Sequence, residues 1–124
     1  MSAQGNLTAM EETAAQHYII GDNLRHKAFY DDAIDEFQKA LHIQEPLLGE
    51  DSLTVANTQY ALGLALRATK DYKSALFHLG NATVAYEKLQ KSEKESSGNT
   101  SAYQTQLINC KLNIARTHHS QGVD

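Results

Sequence analysis

Apolar and small residues recur along this chain at spacings of three and four, which is the period of one face of an α-helix. Five segments follow this pattern, at about residues 9–27, 31–47, 53–69, 72–91 and 101–120. A capping-box motif at Thr8–Glu11 predicts the start of the first helix, so residues 1–7 are expected to be frayed. The pattern therefore predicts an all-α fold with five helices.

The pattern also repeats after 42 residues, as in 63 − 21 = 42. Six pairs of positions share this offset: Gly21/Gly63, Leu24/Leu66, Tyr30/Tyr72, Ala33/Ala75, Ile34/Leu76 and Ala40/Ala82. Chance seldom produces six matches at one offset, so the chain is predicted to be a repeat protein, an architecture that usually serves as a binding surface. Glycine inside a helix costs about 1 kcal/mol relative to alanine, so Gly21 indicates close approach of a neighbouring helix.

These positions resemble the tetratricopeptide repeat, a helix–turn–helix unit. The signature is filled first by Ile20-Gly21, Leu24, Tyr30, Ala33, Phe37 and Ala40, and then by Leu62-Gly63, Leu66, Tyr72, Ala75, Leu79 and Ala82. The resemblance covers residues 14 to about 89 and implies a right-handed solenoid of helical hairpins. The 42-residue period and the link at residues 47–56 are similar to the kinesin light chain variety, although the His-Pro pair of that link is absent.

The resemblance implies two full repeats plus a fifth helix. The expected segments are a frayed N-terminus (1–7), repeat one (8–48), repeat two (49–92), a polar linker (93–100) and a last helix (101–124). The last helix is either a cap or the first helix of a truncated third repeat, since Asn113-Ile114-Ala115 stands where such units carry Asn-Leu-Ala. The wholly polar residues 90–101 predict a solvated helix end followed by a flexible loop.

In this architecture the first helix of each unit lines a concave groove. By register, the groove-facing positions include Tyr18, Arg25, Asn57, Tyr60, Arg67, Asn109 and Arg116. Arginine presents a planar fork that suits carboxylates, asparagine can bond a peptide backbone bidentately, and tyrosine supplies rigid contact area. We therefore expect an adaptor module that binds a partner peptide with acidic and apolar residues. The alternative is that these residues form an ordinary solvated helix face.

Charge is distributed unevenly along the chain. The net charge of −4 argues against general nucleic-acid binding. Residues 31–51 carry seven acids and one lysine, for a net charge of −6, whereas residues 52–124 carry eight bases and five acids, for +3. Complementarity to the helix dipole is the simpler explanation of the acids that crowd the start of the second helix, and a patch that binds a partner is the alternative. The opposite charges of these two parts of the chain also support an alternative function. In this alternative, the chain is a scaffold segment that forms homo-oligomers through the fifth helix.

The sequence carries no motif for catalysis or for a cofactor. It has no phosphate-binding glycine loop, no Ser/His/Asp arrangement and no histidine pair at a helical metal-binding spacing, so we expect neither an enzyme nor a metal site. The single Cys110 cannot form an internal disulfide and is expected to be a core residue in a reducing compartment. With no signal peptide and no apolar run of about 20 residues, the sequence predicts a cytoplasmic protein without membrane insertion.

Overall fold

A computed structural model describes the backbone of residues 3–123 and the side chains of residues 5–122. Five helices follow one another along these residues: α1 (Ala3–His26), α2 (Tyr30–Leu48), α3 (Leu53–Ala68), α4 (Tyr72–Ser97) and α5 (Gln104–Val123). The predicted all-α class is confirmed. Residues 1 and 2 of the expected frayed N-terminus, and Asp124 of the expected last segment, lie outside the described residues.

Neighbouring helices pack in pairs. α1 packs against α2 and α3 against α4, and each hairpin packs on the next through α2 against α3 and α4 against α5. α3 also contacts both α1 and α5, so these three helices lie side by side with α2 and α4 behind them. The arrangement confirms the predicted solenoid of helical hairpins.

Each hairpin is held close by one glycine in its first helix. A Cβ atom added to Gly21 would lie 2.8 Å from ring carbons of Phe37, and one added to Gly63 would lie 2.7 Å from Cγ of Leu79. Carbon atoms repel at such distances, so neither position has room for a side chain. The close approach predicted from Gly21 is confirmed, and it occurs in both repeats.

The two hairpin turns have the same backbone conformation. Ala28 and Lys70 adopt left-handed φ angles of 66° and 67°. The residue after each donates its backbone N–H to a carbonyl five residues earlier, at 2.9 Å and 3.0 Å. This bond belongs to the Schellman motif, in which a left-handed residue satisfies the last carbonyls of a helix and stops it. The 42-residue repeat therefore includes the turns as well as the apolar stripes.

The fifth helix forms part of the core. Cys110 is fully buried in a cluster with Ala56, Ala82, Ala85 and Tyr86, as expected for a core cysteine. Leu107 is partly buried and packs against the same cluster. α5 therefore covers an apolar face of the second repeat that would otherwise meet water.

Three helices differ from the sequence predictions at their ends: α1 and α4 are longer, and α5 is shifted by three residues, to Gln104–Val123. α1 begins at Ala3, so Thr8 lies inside the helix and the capping-box start is wrong. The preceding residues contain no proline, so the helix continues through the motif towards the N-terminus. α4 extends to Ser97, which makes the first half of the expected linker helical, and it ends at Gly98 with a left-handed φ of 79°. The glutamates and lysines of this segment favour helix even where nothing packs against them.

Candidate functional site

Tyr60 of α3 is the residue around which the three side-by-side helices meet. Its hydroxyl oxygen accepts a hydrogen bond from Nδ2 of Asn113 on α5 at 3.0 Å. Burial raises the pKa of Tyr60, and the positive charges of Arg25 and Arg116 oppose that rise. Since Arg25 lies on α1 and Arg116 on α5, arginines from both flanking helices act on one tyrosine. The structure thus brings three of the predicted groove residues together.

Arg25 is held by a carboxylate of its own helix. Its Nη2 atom donates to Oδ1 of Asp22 at 2.9 Å, and the side chain is half-buried. Oδ2 of Asp22 also lies 3.6 Å from Nδ1 of His26. Asp22 therefore fixes the position of the guanidinium group and reduces the local positive charge.

Arg25 and Arg67 share one feature, a buried Nε atom without a hydrogen-bond acceptor. Among the described side chains, only these two nitrogens are buried and unpaired. The two arginines stand at equivalent positions of the repeats, since 67 − 25 = 42. No carboxylate of residues 5–122 lies within ion-pair distance of Arg67. An unpaired buried donor costs about 1–3 kcal/mol, so both sites would gain from an acceptor.

A pocket of about 400 Å³ opens between the middle of α1, the end of α2 and the start of α3. Two predicted groove residues, Tyr18 and Asn57, line it, and Ile19, Leu47 and Leu48 contribute apolar surface. This pocket is not predicted by the register of the first helices, because part of its wall comes from the end of α2. The only sequence signal was the apolar Leu47-Leu48 pair at the end of that helix.

Tyr18 and Asn57 also help to hold the fold together. The ring of Tyr18 packs against Phe37 with centroids 5.7 Å apart, and burial raises the pKa of its hydroxyl. Oδ1 of Asn57 accepts a hydrogen bond from the Tyr86 hydroxyl at 2.5 Å. The side-chain amide nitrogen of Asn57 can still donate a hydrogen bond to a ligand.

The α5 positions differ from one another in exposure. Asn109 and Arg116 are exposed, whereas Asn113 is buried and its Nδ2 atom also donates to the carbonyl oxygen of Asn109 at 2.9 Å. Asn113 was not among the predicted site residues, yet it joins α5 to Tyr60. The sequence feature that could have identified Asn113 is its position: it is a polar residue on the buried stripe, three positions after Cys110.

The described residues contain no group of three or more histidine, cysteine, aspartate or glutamate side chains arranged to hold a metal ion. Among the helices of residues 3–123, none is long and apolar enough to cross a membrane.

Comparison with known proteins identifies the family. The family model of the tetratricopeptide repeat matches residues 11–88, well over half of the chain. No individually curated protein matches the chain significantly. The likeness to the kinesin light chain variety stays a prediction, whereas the repeat itself is matched across both hairpins. Tetratricopeptide repeats form a non-catalytic family that generally mediates protein–protein interaction. This chain belongs to the tetratricopeptide repeat family.

Proposed function

We propose that this chain is a non-enzymatic adaptor module that holds an acidic partner peptide along the face formed by α1, α3 and α5. Family membership supports the general role in protein–protein interaction. The observation that carries the finer proposal is the pair of equivalent arginines, Arg25 and Arg67, each with a buried and unpaired Nε atom. A ligand that brings acceptors to this face would satisfy donors that the folded chain leaves unpaired.

A carboxylate is the acceptor that suits these arginines. Nε–H and one Nη–H of a guanidinium group point in parallel and can donate to the two oxygens of one carboxylate. For Arg67, which has no ion-pair partner, a small rotation of the side chain towards the ligand would bring the buried Nε–H into such a pair, whereas Arg25 would also have to exchange its bond to Asp22 for one to the ligand. Hydrogen bonds to charged groups contribute about 1.5–3 kcal/mol each, so one acidic residue on each arginine would supply much of the affinity.

The apolar pocket beside Tyr18 and Asn57 supports a second requirement on the ligand. A pocket of about 400 Å³ is large enough for one bulky apolar side chain. Asn57 and Arg67 are ten residues apart on α3, which corresponds to about 15 Å along the helix axis. An extended peptide covers that distance in about four or five residues. The proposed ligand therefore carries a bulky apolar residue and an acidic residue at about this separation.

The substitution Arg67→Glu tests the proposal. A bound acidic peptide would lose its charged partner and meet a repelling charge, so its affinity should fall by about 10- to 100-fold. Fluorescence anisotropy with a labelled peptide at low salt measures this change. Lys73→Glu is the matched control, because it makes the same charge change at an exposed position of α4. Unchanged affinity in a folded Arg67→Glu variant would overturn the groove assignment.

The proposed setting of this adaptor is the cytoplasm, with a protein rather than a nucleic acid as partner. Cys110 is a free, buried cysteine, which suits a reducing compartment. The net charge of −4 disfavours the phosphate backbone of nucleic acids.

A further inference from the structure

A cleft runs between α2 and α4, on the side of the second helices. It consists of two adjoining cavities of about 360 and 430 Å³ that share the side chains of Glu45 and His78. Leu41 and Leu62 of the core line one of these cavities. The cleft therefore offers both an apolar base and room for side chains of another molecule. It contains none of the residues of the proposed peptide groove.

The walls of this cleft combine acidic groups with exposed apolar side chains. Glu45, Glu50 and Asp51 stand along its edge where α2 leads into α3. Phe77 and Val84 of α4, also lining it, are 64% and 51% exposed. The lysine that lines this cavity, Lys88, lies 3.3 Å from Asp51 in an exposed ion pair. The cleft thus presents apolar surface under a net negative charge.

The outer face of α5 has the complementary composition. Ile108 and Leu112, one helical turn apart, are 55% and 44% exposed. Lys111 and Arg116 flank them, and α5 contains no aspartate or glutamate. The opposite side of the helix is packed through Cys110 and Asn113. The outer face is therefore an apolar stripe between bases, with no covering element among residues 3–123.

We propose that the α2–α4 cleft of one molecule binds the outer face of α5 of a second copy of this chain. Ile108 and Leu112 would pack on Phe77 and Val84, while the bases on α5 would meet the acids of the cleft edge. Opposite charges of this kind steer and orient two surfaces, and burial of the apolar side chains provides the attraction. This assembly is distinct from peptide binding, and of the residues in the two proposed sites only Arg116 borders both the groove and the outer face of α5.

The α2–α4 cleft and the outer face of α5 are two different patches of the molecule, and this difference determines the geometry of the assembly. A contact between two different patches is heterologous, and each added molecule presents a free cleft at one end and a free α5 at the other. The resulting oligomers grow with concentration rather than stopping at a symmetric dimer. High salt screens the exposed charges and weakens the contact.

Paired variants test this proposal by sedimentation velocity over a concentration series at low salt. Ile108→Glu disables the α5 face and Phe77→Glu disables the cleft, and both positions are exposed enough to leave folding intact. The average mass of the unaltered chain should rise with concentration, whereas each variant alone should remain monomeric. An equimolar mixture of the two variants should form a dimer that grows no further, because each partner keeps one working surface. Leu7→Glu, an exposed position on α1, is the control and should assemble as the unaltered chain does.

Three results would overturn the proposal. One is an unaltered chain that stays monomeric throughout the series. The second is loss of assembly in Ile108→Glu but not in Phe77→Glu, which would indicate that α5 pairs with another α5. The third is a mixture of the two variants that fails to associate. Arg67→Glu separates this proposal from the adaptor function, because that variant should lose peptide binding and keep self-assembly.

Discussion

At the scale of single residues, the two hairpin turns place side chains where glycine is usual. Ala28 and Lys70 hold φ angles of 66° and 67°, a conformation that costs an L-residue about 1–2 kcal/mol. Neither alanine nor lysine is a residue type that indicates a left-handed turn in a sequence. Only the Schellman hydrogen bond, formed after the chain reverses, identifies the position.

Replacing Lys70 with glycine should stabilise the protein. Glycine removes the clash of the left-handed conformation, and the greater entropy of its unfolded state offsets only part of the gain, leaving up to about 1 kcal/mol. Urea unfolding measures the change. Ala115→Gly, at an exposed site inside α5, is the control and should cost about 1 kcal/mol. A loss of stability in Lys70→Gly as large as in the control would contradict this interpretation of the turn.

A second residue-scale feature is a polar pair inside each hairpin. Nδ1 of His17 lies 2.6 Å from Oε2 of Glu36, and Nδ1 of His78 lies 2.5 Å from Oε1 of Gln59. The pairs are equivalent, since 59 − 17 and 78 − 36 both equal 42, but the histidine has moved to the other helix. No single identity repeats, so a comparison of residues at the 42-residue offset does not reveal the pair.

His78 should make stability depend on pH. Burial lowers its pKa, and the nearby Asp71 carboxylate only partly opposes this, so the unfolded chain binds the proton more tightly than the folded one. Its contribution to stability is therefore present above the unfolded pKa of about 6.5 and is lost as the pH falls below it. The unfolding free energy should fall less between about pH 7 and about pH 5 in His78→Gln than in the unaltered chain. Equal losses in denaturant titrations of both proteins would refute the assignment.

At the scale of the helices, the repeated apolar signature was sufficient to predict number, order and pairing. Gly21 and Gly63 also indicated that the two helices of each hairpin pack closely, because each glycine has the same local steric role at the equivalent position. The ends of α1 and α4 were not predictable in the same way. Polar residues such as those at 93–97 are compatible with both a solvated helix and a loop.

Replacement by alanine should have opposite effects on stability at two glycines that both lie inside helices. Gly63→Ala brings a methyl group to within 2.7 Å of Leu79 and should cost about 1–3 kcal/mol. Gly80→Ala, in α4, adds a methyl group that no atom beyond the neighbouring helix backbone approaches within 4 Å, and it should stabilise the protein by up to about 1 kcal/mol. Thermal or urea unfolding of both variants tests the pair. If Gly63→Ala were as stable as Gly80→Ala, the hairpin would not be as tightly packed as the structure indicates.

At the scale of the whole molecule, the candidate site consists of residues from helices that are distant in sequence. The register predicts that Arg25, Tyr60 and Arg67 face the same side, because equivalent positions do so in a solenoid, and the structure brings Arg25 within electrostatic reach of Tyr60. It could not predict the bond from Asn113 to Tyr60 or the pocket beside Tyr18, which depend on contacts between different repeats. Those contacts arise only when the hairpins stack.

The most direct test of the central claim is a selection from a random peptide display library, performed on the unaltered chain and on the double variant Arg25→Glu/Arg67→Glu. We expect the unaltered chain to enrich peptides that combine acidic residues with a bulky apolar one, and the double variant to lose them. Retained folding of the variant is checked by its thermal unfolding. Enrichment of the same peptides by both proteins, or of none by the unaltered chain, would contradict a peptide-binding groove built on these arginines.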